Sequence, residues 1–317
     1  MKKQKATTSP ALKTIFGPLW DKFNDPAVYA ICIDSFNEVH IYANKAEAQT
    51  NSKIFKTAKD LDAFISRLLR HLGKKVDDST KSIFVKTDDY TQITIVFPPV
   101  AVKGPSVTIK KFPVKPITLD DLIQFKALDA EGKKLLLKII ADAKGILVAG
   151  NFGSGKTTLL NTLVNAIPLP QRVVTIERYA DLLINRPMVC RLQTANQSAQ
   201  EMVELVSIAQ QMYADYLVIS NFEGPETMNF LEVARNQCST MGLITGENPL
   251  DALKRLETKA VLSSEGMTLE DARYAISQAF RHVVYQERRE DGKRIVSFIG
   301  EIQYDSGELK LKVIYKR

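Results

Sequence analysis

Eight residues in the middle of the chain have the types and the spacing of a phosphate-binding loop. The segment 150–157, Gly-Asn-Phe-Gly-Ser-Gly-Lys-Thr, fits the pattern G-x-x-x-x-G-K-[ST]. Glycines let the backbone curl so that successive amide groups point at phosphate oxygens, and the start of a following helix adds the positive end of its dipole. The pattern therefore predicts a site for a nucleoside triphosphate.

The side chains of this loop are expected to divide the binding between them. Lys156 should reach the β and γ phosphates, and Thr157 should offer its hydroxyl to Mg²⁺, which prefers oxygen ligands. The alternative is an ordinary glycine-rich turn, but such a turn requires neither the Lys-Thr pair nor three glycines at these spacings. The residues expected to contact the nucleotide are Gly150, Gly153, Ser154, Gly155, Lys156, Thr157 and Thr158.

The segments around the loop have the pattern of a parallel α/β sheet. An apolar run ends at the loop and a helical pattern leaves it, and strands and helices alternate from Thr118 onward, which is typical of a mostly parallel sheet covered on both faces. Predicted strands cover 145–149, 172–176, 189–192, 216–220 and 242–245, and predicted helices cover 157–166, 199–212, 226–235, 250–262 and 269–280. Antiparallel strands at 283–287, 294–303 and 309–315 are expected to close the chain.

The first part of the chain has a different pattern and predicts a smaller α+β domain at 12–112, after a basic tail at 1–11. Short strands are expected at 28–33, 39–42, 82–86, 91–97 and 106–112, with a helix at 61–72 and a helical segment at 10–23 that breaks at Gly17-Pro18. Two prolines predict a linker at 113–117, because proline removes a backbone donor and interrupts a helix. The second domain is then 118–317.

Composition is that of a soluble globular protein, with 45% apolar and 25% charged residues among 317. Three widely spaced cysteines, Cys32, Cys190 and Cys238, favour reduced thiols in a cytosolic protein. The basic start lacks the apolar segment of a signal peptide, and no run of 18 apolar residues predicts a membrane span. The net charge of +7 is spread out, so nucleic acid is not expected as a partner, and the basic segment 288–294 is expected to be solvated surface.

Several short motifs, in order, resemble the type II/IV secretion-system ATPases, and the Flp/Tad (CpaF-like) pilus-assembly branch looks nearest. The motifs lie at 147–161, 167–168, 172–177, 25–28, 98–102, 117–122 and 251–257, and the resemblance covers roughly residues 12–305. It implies a RecA-like P-loop NTPase domain with a smaller N-terminal α+β domain, and ATP bound between them. It also implies a hexameric ring in the cytoplasm, peripheral at the inner membrane, where platform proteins of a pilus or secretion system would be partners.

The chain departs from this family at the residues associated with hydrolysis. Where the family has a glutamate that polarises the attacking water, this chain has Asn221, whose amide cannot accept a proton. The family's two histidines correspond to Gln237 and Thr245. Arginines of the family's N-terminal domain that contact phosphates correspond to Lys86, Gln92 and Lys110.

Two charged positions of the family are changed as well. Its acidic box keeps Glu177 but has Arg178 in place of an aspartate, and its Arg-Gly-x-Glu motif has Glu223 in place of the arginine. Glu177 is a candidate to hold a water of the metal. If the chain stays extended, Glu223 points to the same side as Asn221 and is a candidate replacement base; the alternative is a surface carboxylate.

Two functional hypotheses follow from these residues. One is an ATP-binding secretion or pilus ATPase subunit with weak hydrolysis, in which Lys156, Glu177 and Glu223 are the candidate catalytic residues and Thr157 and Glu177 the candidate metal ligands. The other is an inactive nucleotide-binding paralogue that works with an active ATPase, in a homo-oligomer or a hetero-assembly. A third class, a DNA-translocating motor, would need a basic channel surface.

Overall fold

The chain divides into two compact units, Met1–Val114 and Lys115–Arg317. The computed structural model describes residues 10–43, 49–51, 53–87, 91–111, 116–179, 181–195 and 198–317. Most of the predicted basic tail at 1–11, and most of the predicted linker at 113–117, lie outside the described residues. The bounds of both segments remain predictions.

The first unit is an antiparallel sheet with helices packed against it. Its elements are α1 (Pro10–Phe16), the 3-10 turn Gly17–Leu19, α2 (Trp20–Asn24), β1 (Val28–Ser35), β2 (Glu38–Ala43), β3 (Gln49–Asn51), α3 (Ala58–His71), β4 (Ser82–Lys86), β5 (Thr91–Val96) and β6 (Ser106–Lys111). The strand order is β3-β2-β1-β6-β5-β4. The predicted break at Gly17-Pro18 is present as the 3-10 turn between α1 and α2.

Helix α3 shows how local sequence sets these elements. It begins three residues before the predicted start, because Thr57 and Asp60 form a capping box in which each side chain accepts a hydrogen bond from the other residue's backbone N–H. Its apolar residues recur at helical spacing, so one stripe faces the sheet. The buried members of that stripe are Leu61, Phe64, Ile65 and Leu68.

The second unit is an eight-stranded sheet between two layers of helices. Its elements are α4 (Leu119–Gln124), α5 (Ala130–Ala141), β7 (Ile146–Gly150), α6 (Lys156–Asn165), β8 (Val173–Glu177), β9 (Val189–Gln193), α7 (Ala199–Gln210), β10 (Tyr216–Ile219), α8 (Thr227–Gln237), β11 (Ser239–Thr245), α9 (Pro249–Leu262), α10 (Leu269–Ala279), β12 (His282–Arg288), β13 (Arg294–Asp305) and β14 (Glu308–Lys316). The sequence pattern did not delimit α4 and α5.

The strand order is β14-β13-β12-β7-β11-β10-β8-β9. The strands from β12 to β9 in this order are parallel to one another, and β12, β13 and β14 form an antiparallel meander. Strand β12 therefore belongs to both parts, since it pairs antiparallel with β13 and parallel with β7. The predicted fold class, a RecA-like α/β domain with a smaller α+β domain, is confirmed.

The core of this unit lies on both faces of the sheet, as a parallel sheet requires. In β7 the side chains alternate: Leu147 and Ala149 join the cluster under α7–α10, whereas Ile146 and Val148 join the cluster under α4–α6. All four are fully buried. This two-sided burial fixes β7 at the centre and places the loop that follows it at the carboxyl edge of the sheet.

Among the residues that the structure describes, none of the helices combines the length and the apolar composition that a bilayer crossing requires.

Candidate functional site

Five segments meet at the carboxyl edge of the eight-stranded sheet, where open α/β sheets bind their ligands. The register aligns Gly150 at the end of β7 with Thr245 of β11 on one side and with Gln286 of β12 on the other. Ile219 of β10 aligns with Ile176 of β8. The sheet thus brings the segments after β7, β11, β10, β8 and β12 to one edge.

The loop after β7 has the backbone geometry of a phosphate cradle. Gly153 and Gly155 have φ values of +72° and +91°, a region that side chains with a Cβ rarely adopt. Gly150 is required for a different reason, because a methyl group placed on it would lie 2.0 Å from the carbonyl oxygen of Gln286. The N–H of Ser154 donates to the carbonyl of Asn151 at 3.3 Å, which tightens the turn.

Helix α6 begins directly at this loop and has no side-chain cap. Its N-cap is Gly155, and its first turn contains no acidic residue. The orphan N–H groups of such a helix start, with the positive end of its dipole, form a ready anion site. Five other helices of the unit do begin with a capping side chain, namely those of Thr118, Asp129, Ser198, Asn248 and Thr268.

Lys156 is held inside the loop. Its side chain is buried, and Nζ donates to the carbonyl oxygen of Asn151 at 2.8 Å. Burial lowers the pKa of Lys156, while the charge of Glu247 acts in the opposite direction. Nζ is therefore anchored to a neutral acceptor that a phosphate oxygen can replace.

The remaining predicted binding residues lie at the end of the same loop and in the first turn of α6. Ser154 is fully buried, and its Oγ is a buried atom without a hydrogen-bond partner. Thr157 and Thr158 lie in the first turn of α6 and are half-buried. A buried hydroxyl without a partner, an uncapped helix start and a buried lysine at one loop fit a ligand that carries phosphate groups.

Glu177, at the end of β8, is occupied by protein partners. Its side chain is 1% exposed. Arg191 donates Nε to Oε1 and Nη2 to Oε2, both at 2.8 Å, and the carboxylate also accepts from the hydroxyl of Thr175 (2.8 Å) and the N–H of Leu182 (2.9 Å). These four bonds tie β9 and the segment after β8 to the site. A metal-ligand or catalytic role for Glu177 remains a prediction.

Glu223 and Arg178 form an ion pair at the same edge of the sheet. Nη1 of Arg178 donates to Oε2 of Glu223, and this hydrogen bond raises the pKa of the guanidinium. The resemblance places an aspartate where Arg178 stands and an arginine where Glu223 stands, so both charges are reversed together. The carboxylate of Glu223 is thus engaged by Arg178, which weighs against its predicted role as a replacement base.

The reversed pair gives a testable prediction for stability. Both side chains are about one quarter exposed, at 28% and 25%, so we expect Arg178→Ala and Glu223→Ala to be coupled by about 1 kcal/mol in a double-mutant cycle. Arg178→Asp alone places two acids together, and adding Glu223→Arg should restore much of the lost stability. Urea unfolding of the four proteins measures this, and strictly additive effects would contradict the pairing.

The other departures from the family are also visible. Asn221 follows β10 and is half-buried, and Thr245 ends β11 beside Gly150; the side chain of Gln237 lies outside the described part of the chain. In the first unit the register pairs Lys86 with Gln92, and Gln92 with Lys110. These three positions therefore form one cross-strand row.

Sequence reasoning missed two features of the site. The first is Glu247, the carboxylate whose charge acts on Lys156. It could have been found from its sequence position, because it lies two residues beyond Thr245, the last residue of the strand that pairs with β7. Arg288 and Arg294 were expected on solvated surface. Both are exposed, as expected, and both also border the phosphate loop, because β12 pairs directly with β7.

Some of the sequence motifs that resemble the family stabilise the fold of the second unit. Asn161 accepts from the N–H of Leu183 at 2.9 Å, which fixes the segment after β8. In the motif at 251–257, three apolar residues are fully buried and Glu257 pairs with Arg273 at 3.3 Å. Those apolar residues are Ala252, Leu253 and Leu256.

Comparisons with known proteins agree with this architecture. The family model described as Type II/IV secretion system protein matches residues 46–288, more than half of the chain. VirB11 of Agrobacterium fabrum is 31% identical over 131 residues, 40% of this chain and 38% of that protein. A putative conjugal transfer protein of Mycobacterium tuberculosis is 24% identical over 228 residues, 69% of this chain and 64% of that protein.

The chain thus spans less than two thirds of the length of each of these relatives. Among solved structures, the ATPase DotB of Legionella pneumophila superposes with a TM-score of 0.62 at 14% identity, over 96% of this chain and 84% of that one. This last similarity is one of fold.

Proposed function

The chain belongs to the type II/IV secretion system protein family, and from that premise we propose that it is an ATP-binding subunit of a type II/IV secretion or Flp/Tad-type pilus assembly machine, weak in hydrolysis. The phosphate loop carries this proposal. A buried lysine, two glycines with positive φ and an uncapped helix start meet at 150–157. That combination provides several N–H donors and one cation for a polyphosphate.

The roles of the residues follow from their places in the loop. Lys156 binds the β and γ phosphates by leaving the carbonyl of Asn151, and Ser154, Thr157 and Thr158 add hydroxyl groups at the helix start. Thr157 is the proposed direct ligand of Mg²⁺. Bound ATP would supply the free energy released when its terminal phosphoryl group is transferred to water, and Mg²⁺ would neutralise charge on the phosphates.

Weak hydrolysis is proposed because the site has no free carboxylate at the position of the water-polarising glutamate. Asn221 stands there, and Glu223, two residues on, is paired with Arg178. General-base catalysis contributes roughly 10²- to 10⁴-fold to a rate, while positioning and charge neutralisation persist without it. Binding is therefore retained and turnover is slow. Glu177 would act on the metal's water only by exchanging one of its four present bonds.

An inactive paralogue that works beside an active ATPase is the second candidate function. The observation that favours it is that Asn221 and Thr245 occupy catalytic positions of the family while the binding loop is intact. In that case the chain would contribute a nucleotide-filled site to a hetero-assembly. Turnover by the isolated chain distinguishes the two candidates.

We also propose the setting of this activity. The curated relatives include a putative conjugal transfer protein, which supports a role in a transfer machine. The subunit would form a hexameric ring or a hetero-assembly on the cytoplasmic side of the inner membrane, with platform proteins of a pilus or secretion system as partners. Nucleic acid is not proposed as a partner.

Calorimetric titration of the chain with ATP in the presence of Mg²⁺ tests the proposal. We expect saturable binding of one ATP per chain, and sedimentation of the same sample should show nucleotide-supported assembly beyond the monomer. Absence of ATP binding would contradict the proposed function. ATP binding by a chain that stays monomeric at high concentration would contradict only the proposed ring.

A further inference from the structure

The end of the hairpin formed by β12 and β13 is packed against the phosphate loop. Asn151 exchanges two hydrogen bonds with the backbone of Arg288, since Nδ2 donates to the carbonyl (3.2 Å) and Oδ1 accepts from the N–H (2.9 Å). Nε of Arg294 donates to the carbonyl of Gly153 at 3.0 Å. A methyl group placed on Gly153 would lie 3.4 Å from Nη1 of Arg288. Both guanidinium groups therefore border the loop.

Four basic residues of this hairpin fall into two classes. Two of them are neutralised locally by acidic neighbours: Arg289 pairs with Glu287 at 2.8 Å, and Lys293 pairs with Asp291 at 2.7 Å. The other two are Arg288 and Arg294, and no carboxylate in the described part of the chain pairs with either. The uncompensated charge of the hairpin is thus confined to the two arginines beside the loop.

Arg288 and Arg294 also oppose each other in the sheet. The register of β12 and β13 pairs them directly, and like charges at directly opposite positions destabilise an antiparallel pair. Both side chains are exposed, so a ligand can reach them. An anion bound at this point would remove the repulsion and add charge-assisted hydrogen bonds.

Buried polar atoms at the same place also lack partners. Gln286 is 3% exposed, and its Oε1 has no hydrogen-bond partner, as is true of Oγ of Ser154. A methyl group placed on Gly155 would lie 3.4 Å from Nε2 of Gln286 and 3.4 Å from Cδ of Arg294. Buried polar groups are rarely left unsatisfied in a native protein. The hydroxyl of Ser154 can donate to a phosphate oxygen, and the amide of Gln286 can do so once it is turned to present Nε2 in place of Oε1.

We propose that Arg288 and Arg294 bind the phosphates of the nucleotide and form, with Lys156, a three-cation site within one chain. The inference rests on the nucleotide binding proposed above and assigns it a second group of residues. A guanidinium presents a planar fork of donors that matches two phosphate oxygens. The site would thus hold a triphosphate more firmly than the loop alone, with no arginine needed from another subunit for binding.

Affinities of the full chain for ATP, ADP and AMP, measured by calorimetry with Mg²⁺, test this assignment. We expect Arg288→Gln and Arg294→Gln each to weaken ATP binding about 10- to 100-fold, the range of a hydrogen bond to a charged group. AMP binding should change little, because it lacks the β and γ phosphates. The matched controls Arg289→Gln and Lys293→Gln remove paired charges from the same hairpin and should leave ATP affinity within about 2-fold.

Thermal unfolding without nucleotide separates ligand binding from a structural role. Removing one of two opposed like charges should leave the Tm of Arg288→Gln at or above that of the wild type. A lowered Tm with equal losses for ATP and AMP would overturn the inference, as would altered assembly with unchanged ATP affinity. If the wild type binds ATP and both arginine variants bind it equally well, the inference fails and the proposed function stands; if the wild type binds no ATP, both fail.

Discussion

Lys156→Ala is expected to weaken ATP binding about 100-fold or more while leaving the fold intact. Among the residues that the structure describes, the hydrogen-bond partner of Nζ is a loop carbonyl, so its removal costs the protein little, whereas the bound state loses a charge-assisted hydrogen bond in a largely buried site. About 1.4 kcal/mol corresponds to each tenfold change in affinity. Calorimetric titration with ATP measures the loss, and thermal unfolding verifies the fold.

A lysine at the opposite end of the same strand provides the control. Lys144 precedes β7 and is exposed, so Lys144→Ala removes the same charge far from the carboxyl edge and should leave ATP affinity unchanged. Equal affinities for Lys156→Ala and Lys144→Ala would show that the loop at 150–157 is not the nucleotide site.

Asn221→Glu is expected to raise steady-state phosphate release by about 100-fold from a very low starting rate. The substitution returns a carboxylate to the end of β10, and general-base catalysis typically contributes 10²- to 10⁴-fold, so about 100-fold is the lower end of that range. The lower end applies because the histidine positions of the family remain changed. Release of inorganic phosphate under saturating ATP is the measurement.

Asn221→Gln is the matched control for this gain, since it adds the same length without a charge or a proton acceptor. It should leave the rate at the level of the wild type. Two results would contradict the explanation that a missing general base makes hydrolysis slow. One is a wild-type rate of phosphate release comparable to that of active family members, and the other is an equal rise of this rate in the Asn221→Glu and Asn221→Gln variants.

The parallel core of the second unit could be predicted from the sequence because its strands are short apolar runs separated by helical patterns. The five strands expected between 145 and 245 are all present as β7 to β11, with shifts of a few residues at their ends. The phosphate loop was also predictable, because its glycines and its Lys-Thr pair are contiguous. Local patterns of this kind need no knowledge of distant contacts.

The residues that lie beside the phosphate loop could not be predicted in the same way, because the order of the strands in the sheet decides which residues they are. Nothing in the segment 282–288 shows that β12 pairs with β7, and that pairing is what places Arg288 and Gln286 beside the loop. The ion pair of Arg178 with Glu223 joins residues 45 positions apart. Each charge alone looked like a lost family residue, and only their contact shows that the two reversed charges form an ion pair.

The same limit applies to Glu177. Its sequence position predicted a carboxylate that holds a water of the metal. The register of β8 and β9, which pairs Thr175 with Arg191, instead brings a guanidinium to both carboxylate oxygens. A side chain that is fully hydrogen-bonded in this way differs from one open to a ligand, and the sequence alone does not distinguish the two.

One experiment tests the central claim most directly: ATP affinity and ATP turnover measured on the same sample of the wild-type chain. The account predicts saturable binding of Mg²⁺-ATP together with phosphate release that is absent or very slow. A chain that fails to bind ATP would contradict it, and so would one that hydrolyses ATP as fast as active members of the family.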